Sequence, residues 1–326
     1  MAVLAQTKTT SDAIGNREDL SDKIVRIYAD EMPMQAMAKT VKAKAVDHDW
    51  LTTDIRKGVL GNAQPEGFRA TQTAAKLRKR LRNKCQIPTE GGSVSATQEA
   101  TDKAGIKSEY KEQKRLKLTE YNLDIEATIC SAQQFRDQVG TADGEGRLMS
   151  GIQCFVSQDG NTSRGDGGLD PTYDANGYAQ APTAGTNRTF TEQQLKDVLL
   201  GMYQNGAGGN KVAMMGAELK VAASGFTGLA EHRVNVPSAK ATYVIAAVDE
   251  YVSDFGNVGL MAHQSELANE CLVVQSKVIQ IAKLRPTTTK PLPIAGSSRE
   301  FFVDGECTLK ITNPKGLGII ADVNAA

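Results

Sequence analysis

The sequence has no pair of cysteines at CxxC spacing. Its five cysteines, Cys85, Cys130, Cys154, Cys271 and Cys307, are odd in number and widely spread. That excludes a disulfide framework and reads as reduced thiols in a cytosolic setting. The three histidines, His48, His232 and His263, are far apart. None falls in HExxH or beside a cysteine at ligand spacing, so no metal site and no cofactor is expected. GxSxG, a GxGxxG following a strand, and the Walker sequence are all absent. Only a site assembled from distant residues would leave room for catalysis, and a binding or structural role gains. No run approaches the length of a membrane span, and the opening MAVLAQTKTTSDAIGN lacks the apolar core of a signal peptide. A soluble protein made in the cytoplasm is expected. Charge of one sign is lacking as well: 38 basic and 38 acidic residues give a net of +0, which argues against a dedicated nucleic-acid binder.

What is present suits a folded chain of about two domains, with 326 residues, 40% of them apolar and 23% charged. Residues 1–16 are small and polar, an unanchored arm in expectation. Arg17–Tyr28 carries Leu20, Ile24 and Ile27 at helical spacing and stops before Pro33. Val41–Leu51 alternates loosely, with Val46, His48 and the only tryptophan, Trp50, on one face of a strand.

The longest helix is predicted for Lys107–Phe135, which has no glycine or proline and spans about 43 Å if fully helical. Leu118, Tyr121, Ile125, Ile129 and Ala132 share a face. Lys107, Lys111, Lys114, Arg115 and Lys117 precede Glu120, Asp124 and Glu126, the reverse of what a helix dipole prefers. Two readings stand: charges that answer to neighbouring groups, with Lys111, Arg115, Glu120 and Asp124 as interface candidates, or simply a solvated face.

Arg56–Lys84 holds nine basic residues against Glu66 alone, a net of +8, and is punctuated by Gly58, Gly61, Pro65 and Gly67. With few large apolar residues it reads as a projecting loop or hairpin. Phosphate contact is one use for it, although Phe68 is its only aromatic residue. Docking of Lys76, Arg78, Lys79, Arg80, Arg82 and Lys84 on an acidic surface of another subunit is the favoured one.

Beyond Val139 the chain turns glycine-rich, and residues 157–189 read as an exposed flexible loop of exceptional length. Asp159, Asn161, Ser163 and Asp170 fall at EF-hand ligand positions, but Arg164 stands where that loop needs glycine. Thr191–Tyr203 opens as a capping box with Gln194 and continues as an amphipathic helix. Strands are predicted at Val212–Met215, Tyr243–Val252, Val258–Met261, Arg299–Thr312 and Gly316–Val323, with a helix at Ala217–Ser224. Cys271–Arg285 holds two apolar runs ending at Pro286. Helices early and antiparallel strands late define an α+β architecture.

Four segments carry a resemblance: SATQEATDKAGIKSEYKEQ at Ser95–Gln113, RTFTEQQLKDVL at Arg188–Leu199, IAAVDEYVSDFGNVG at Ile245–Gly259 and AKLRP at Ala282–Pro286. Together with the order of elements, they resemble the SU10-type major capsid proteins of tailed bacteriophages, an HK97-fold family. The resemblance implies an HK97-like capsid fold: an N-terminal arm at 1–43, an extended β-hairpin loop at 44–104, a peripheral domain with a spine helix at 105–150 and 276–326, and an axial domain at 151–275. It also implies hexamers and pentamers in an icosahedral virion shell around double-stranded DNA, with decoration or portal proteins as further partners, no membrane and no enzymatic activity. The run KLRKRLRNK at Lys76–Lys84 is more charged than the family pattern. This keeps a second reading open, a nucleic-acid-binding protein using Arg56–Lys84.

Overall fold

The computed structural model describes residues 32–56, 58–69, 75–103, 105–140, 145–156, 161–226, 250–264, 266–294 and 296–325. The expected arm and the Arg17–Tyr28 helix lie outside them, as do Asp159, His232 and the first part of the Tyr243–Val252 strand.

The first elements among the described residues are α1 (Pro33–Met37), β1 (Lys39–Lys42), β2 (Asp47–Thr52), β3 (Lys79–Lys84), β4 (Thr89–Ser95) and α2 (Ala96–Ala100). The long helix α3 (Glu109–Cys130) follows, then β5 (Thr162–Ser163), β6 (Arg188–Thr189), α4 (Glu192–Gln204), β7 (Lys211–Gly216) and α5 (Ala217–Ser224). The rest is β-structure: β8 (Glu250–Ser253), β9 (Gly256–His263), β10 (Cys271–Val274), β11 (Ile279–Pro291), β12 (Ser298–Ile311), β13 (Leu317–Ile320) and β14 (Val323–Asn324). A four-stranded sheet runs β1-β11-β12-β4 and a six-stranded sheet runs β5-β13-β10-β7-β9-β8. Among the described residues, β14 pairs with β6, and β2 pairs only with β3.

The six-stranded sheet is covered on both faces, and its side chains divide by the two-residue period of a strand. Met214, Leu272, Val274, Leu317 and Ile319 enter a core shared with α3 and the four-stranded sheet. Ala213, Met215, Cys271, Val273 and Ile320 enter a second core beneath α4 and α5. The alternation predicted for single strands thus becomes two hydrophobic cores separated by one sheet.

The long helix is shorter than predicted, 22 residues instead of the whole of Lys107–Phe135. Ser108 accepts a hydrogen bond from the Lys111 amide at 3.3 Å and begins the helix; Ser131 is already extended. At 1.5 Å per residue α3 is about 33 Å long. Tyr121, Ile125 and Ile129 are buried as the stripe predicted, whereas Leu118 is partly exposed and Ala132 lies past the end. The charge order also reads differently once the start is known. Glu109 and Glu112 occupy the first turn, and Glu99 accepts from Ser108 Oγ at 2.7 Å and from the Tyr110 amide at 3.1 Å. Those hydrogen bonds hold the Glu99 carboxyl below its usual range. The amino end of α3 is therefore acidic, as the dipole favours.

Other expectations shift for similar reasons. The single strand Val41–Leu51 divides, because β1 joins β11 in parallel while β2 turns away to β3. Pro286 does not end a strand: β11 continues to Pro291, and the proline lies within the second of two register shifts, between Arg285 and Thr288, where the ladder is already broken. The described part of the 157–189 stretch is a folded loop, not a flexible one. Leu169 bridges Thr183 and Tyr173 bridges Ala179, Arg164 bonds Asp170 at 2.8 Å, and the Gly165 amide donates to Asp322 at 3.0 Å. Its glycines permit close approach, since a Cβ on Gly165 would stand 2.0 Å from the Thr186 carbonyl oxygen. The EF-hand alternative fails here too: Asp170 accepts from Thr162 and Arg164, and Asn161 Oδ1, the oxygen that would ligate, accepts from Asn205 at 2.9 Å.

Gly305 of β12 tests how tightly α3 seats. A Cβ at this position would lie 2.4 Å from the Tyr121 hydroxyl and 3.2 Å from Thr287 Cα. Gly305→Ala is expected to lower stability by about 1–3 kcal/mol. Denaturant unfolding checks this; an unchanged midpoint would show that the helix yields freely.

Candidate assembly interface

β2 and β3 form a two-stranded antiparallel ribbon, with Asp47 opposite Lys84 and Thr52 opposite Lys79. The loop between them, residues 53–78, contains no strand among its described residues. An isolated ribbon is marginal in water, so its root needs support from outside the pair. Trp50 and Leu81, directly opposite each other, enter the main core. Asn83, fully buried, donates to the Leu309 and Ser150 carbonyls at 2.8 and 3.2 Å and accepts from the Lys84 and Ser150 amides at 2.9 and 2.8 Å. Its amide is used to capacity.

Half of the predicted basic cluster is engaged at this root. Arg82 grips Asp49 bidentately at 2.7 and 2.9 Å, and its amide donates to the Gly177 carbonyl at 3.0 Å. The Asp49 carboxylate raises the Arg82 pKa further above its ordinary value. Lys84 is buried and pairs with Asp47 at 2.9 Å and Asp137 at 2.6 Å. Burial works against its charge, yet hydrogen bonds to Asp137, Tyr178 and Asp47 raise its pKa. Both cations sit over the Tyr178 ring, at 5.3 and 4.8 Å, and Phe135 stacks on that ring at 4.2 Å. Arg80 lies 3.6 Å from Asp49 but stays largely exposed. Lys76, Arg78 and Lys79 are exposed.

The tip carries a feature the sequence reading passed over. Ile55, Leu60 and Leu77 are 93%, 99% and 91% exposed, and Leu51, Val59 and Phe68 are also exposed. The run has few large aliphatic residues, Val59, Leu60, Leu77 and Leu81, and all but Leu81 are left in water. Beside the root lies an open groove of about 1360 Å³ between the ribbon, the turn at Tyr173–Gly177, and Asn313–Lys315. Arg56, Lys76, Lys79, Arg80 and Lys315 line it, and Lys315 reaches Asp54 at 3.5 Å.

On α3, the candidates Lys111, Arg115, Glu120 and Asp124 are all exposed. Lys117 is spoken for within the chain, bridging Glu90 of β4 at 3.2 Å and Glu120. Asp124 is pushed above its ordinary value by partial burial and by the Glu90 and Glu120 carboxylates. The third acid of this half, Glu126, points the other way and is 2% exposed.

Glu126, Cys130 and His263 bring their ligand atoms within 4.8 Å of one another, a grouping no sequence spacing announced. It does not fit a metal ion. The Glu266 amide, a fixed donor, lies 3.2 Å from His263 Nδ1, so that nitrogen accepts and the proton stays on Nε2. Nε2 faces Glu126 at 3.5 Å and Cys130 Sγ at 3.8 Å. Burial pushes the Cys130 thiol pKa up, and both Glu126 carboxylate oxygens already accept from α1. The cluster is a hydrogen-bonded junction. Among the described residues, no helix is long and apolar enough to cross a membrane.

This arrangement of α3, two sheets and a projecting ribbon recurs in solved capsids. The cyanophage A-1(L) capsid matches with a TM-score of 0.67 at 13% identity, covering 97% of this chain and 98% of that one. The capsid of a native GTA particle gives 0.60 at 12% identity over 99% and 100%, and Mycobacterium phage Bobi gives 0.60 at 10% over 98% and 100%. A comparison with curated proteins gives no match. The fold is that of the HK97-type capsid proteins. The SU10 major capsid protein profile matches residues 5–324, so the chain belongs to the SU10 major capsid protein family. It is a shell-forming structural protein of the virion, as the sequence resemblance implied.

Asp47 supplies a pH test of the root. Burial tends to raise its pKa, but hydrogen bonds from Lys84 and Tyr178 prevail and hold it below the ordinary 3.8. The contribution is therefore complete above 3.8 and lost as the pH falls through the lower folded value. Trp50, 6.0 Å from both His48 and Phe155, reports on the root. Its emission should hold steady at neutral pH and shift in acid, and Asp47→Asn should flatten that transition. Identical acid transitions would contradict the assignment.

Proposed function

We propose that copies of this chain form the pentamers and hexamers of an icosahedral head around double-stranded DNA, and that the β2–β3 ribbon clasps the adjacent copy. The carrying observation is the contrast within the ribbon: a root saturated with internal bonds and a tip whose largest apolar side chains are left in water. Exposed apolar groups flanked by Lys76, Arg78 and Lys79 suit a surface that is both apolar and acidic. The outer face of α3 offers such a surface, with partly exposed Leu118 beside Glu120 and Asp124. Lys111 and Arg115 then face an acidic part of another neighbour. Contacts of this head-to-tail kind close into rings.

The division into an arm at 1–43, an extended loop at 44–104, a peripheral domain and an axial domain at 151–275 goes with this reading, with one adjustment. β13 belongs to the six-stranded sheet, so its residues group with the axial side. The role is assembly without catalysis. For the nucleic-acid reading, Arg82 and Lys84 count against it, because their charge is already neutralised within the chain.

The triple variant Lys76→Glu, Arg78→Glu, Lys79→Glu is expected to give folded, soluble subunits with wild-type melting and no particles by negative-stain microscopy. Arg82→Glu should instead lower melting itself, since it places a carboxylate against Asp49. Normal shells from the triple variant would sink the docking role of these residues.

A further inference from the structure

The short helix α1 has no cap of its own. Met32 occupies its N-cap position and makes no side-chain bond to the first turn. Its free amides are taken instead by a residue 92 positions later. Glu126, in the middle of α3, accepts from the Met34 amide at 2.6 Å through Oε1, and through Oε2 from the Gln35 amide at 3.0 Å and Gln35 Nε2 at 3.1 Å. Gln35 Nε2 also donates to the Asn122 carbonyl at 2.7 Å, one turn earlier on the same helix. Met34 is fully buried, and α1 leads directly into β1, whose partner is β11.

A carboxylate is costly to bury unless hydrogen bonds meet it. Glu126 has three N–H donors from α1, and His263 Nε2 faces it from the end of β9. One side chain therefore joins the chain's entry into the body, the long helix and the six-stranded sheet. Helix packing would be served as well by an apolar residue at this depth, so the charge answers to the amides of α1. Negative charge at exposed helix amides is favourable, and hydrogen bonds to an ionised acceptor are the stronger ones.

We propose that Glu126 is the positioning residue of α1: by holding Met34 and Gln35 it sets α1 on α3 and, through it, the approach of β1 to β11. The inference rests on the reading of the chain as a shell subunit, and it adds the contact that seats α1 and the edge strand β1 on the body of that subunit. The acidic half of α3 is thus split in use. Asp124 remains outside for other copies, Glu120 is exposed but paired with Lys117, and Glu126 serves its own chain.

The test is amide hydrogen exchange of the full-length soluble subunit, followed by mass spectrometry, in wild type, Glu126→Gln, Gln35→Ala and the double variant. Glu126→Gln is expected to speed exchange of residues 32–38 by about tenfold, the effect of losing charge-assisted hydrogen bonds, with α3 unchanged and any change in β9 confined to its end at His263. Gln35→Ala alone should give a smaller increase, and adding it to Glu126→Gln should give little more, because the two residues act as one contact. Unchanged exchange at 32–38 in Glu126→Gln, or equal acceleration throughout α3, would overturn the proposal. If Glu126→Gln does not fold, Gln35→Ala reads the same contact, and wild-type exchange in it would overturn the proposal. Particle microscopy separates the underlying reading: a variant with a loosened α1 should form fewer closed shells. Normal shells from it would remove α1 from assembly while leaving the Glu126 contact intact.

Discussion

A two-stranded ribbon cannot hold itself in water, and the organisation of this subunit follows from how that constraint is met. At the root the ribbon draws on the body of the protein. Trp50 and Leu81 enter the main core, and Asn83 saturates its amide on the Ser150 and Leu309 backbone. Arg82 and Lys84 lie over Tyr178 between three aspartates. A few residues outward none of this remains, and Ile55, Leu60 and Leu77 stand almost wholly in water. On the proposed reading, the stabilisation of the tip comes from another copy of the chain. A rigid root fixes the direction of reach, which lowers the entropy lost when the tip is bound.

The same division explains a charge run that misleads when read as a whole. The net +8 of Arg56–Lys84 suggests a continuous polyanion-binding surface, yet its members do two jobs. Arg82 and Lys84 are internal staples whose charge is cancelled on the spot, while Lys76, Arg78 and Lys79 are presented outward. Helix α3 behaves alike. Lys117 with Glu120, and Glu126, are used within the subunit, and Lys111, Arg115 and Asp124 are left on the outward face. In both elements sequence neighbours differ in use because of contacts made across the fold.

Local order was legible where local physics decides it. The stripe Tyr121, Ile125, Ile129 marks the buried face of α3. Gln194 accepts from the Thr191 amide at 3.0 Å as the capping box predicts, and β12 and α5 fall within two residues of their predicted bounds. What was not legible depends on distant partners. The glycine-rich stretch looks flexible by composition, but Gly165 is there so that Thr186 and Asp322 can approach. Pro286 looks like a strand end until the bulges around it are known. Nothing near Glu126 in sequence shows that its partners are Met34 and Gln35, or that His263 and Cys130 meet beside it.

The central claim is that the ribbon tip is completed by a second copy. The most direct measurement compares hydrogen exchange of residues 53–78 in soluble subunits and in assembled shells, with the root at Asp47–Thr52 and Lys79–Lys84 as internal reference. The account predicts fast exchange of the tip in subunits, strong protection of it in shells, and a root protected in both. Equal exchange of the tip in the two states would contradict it.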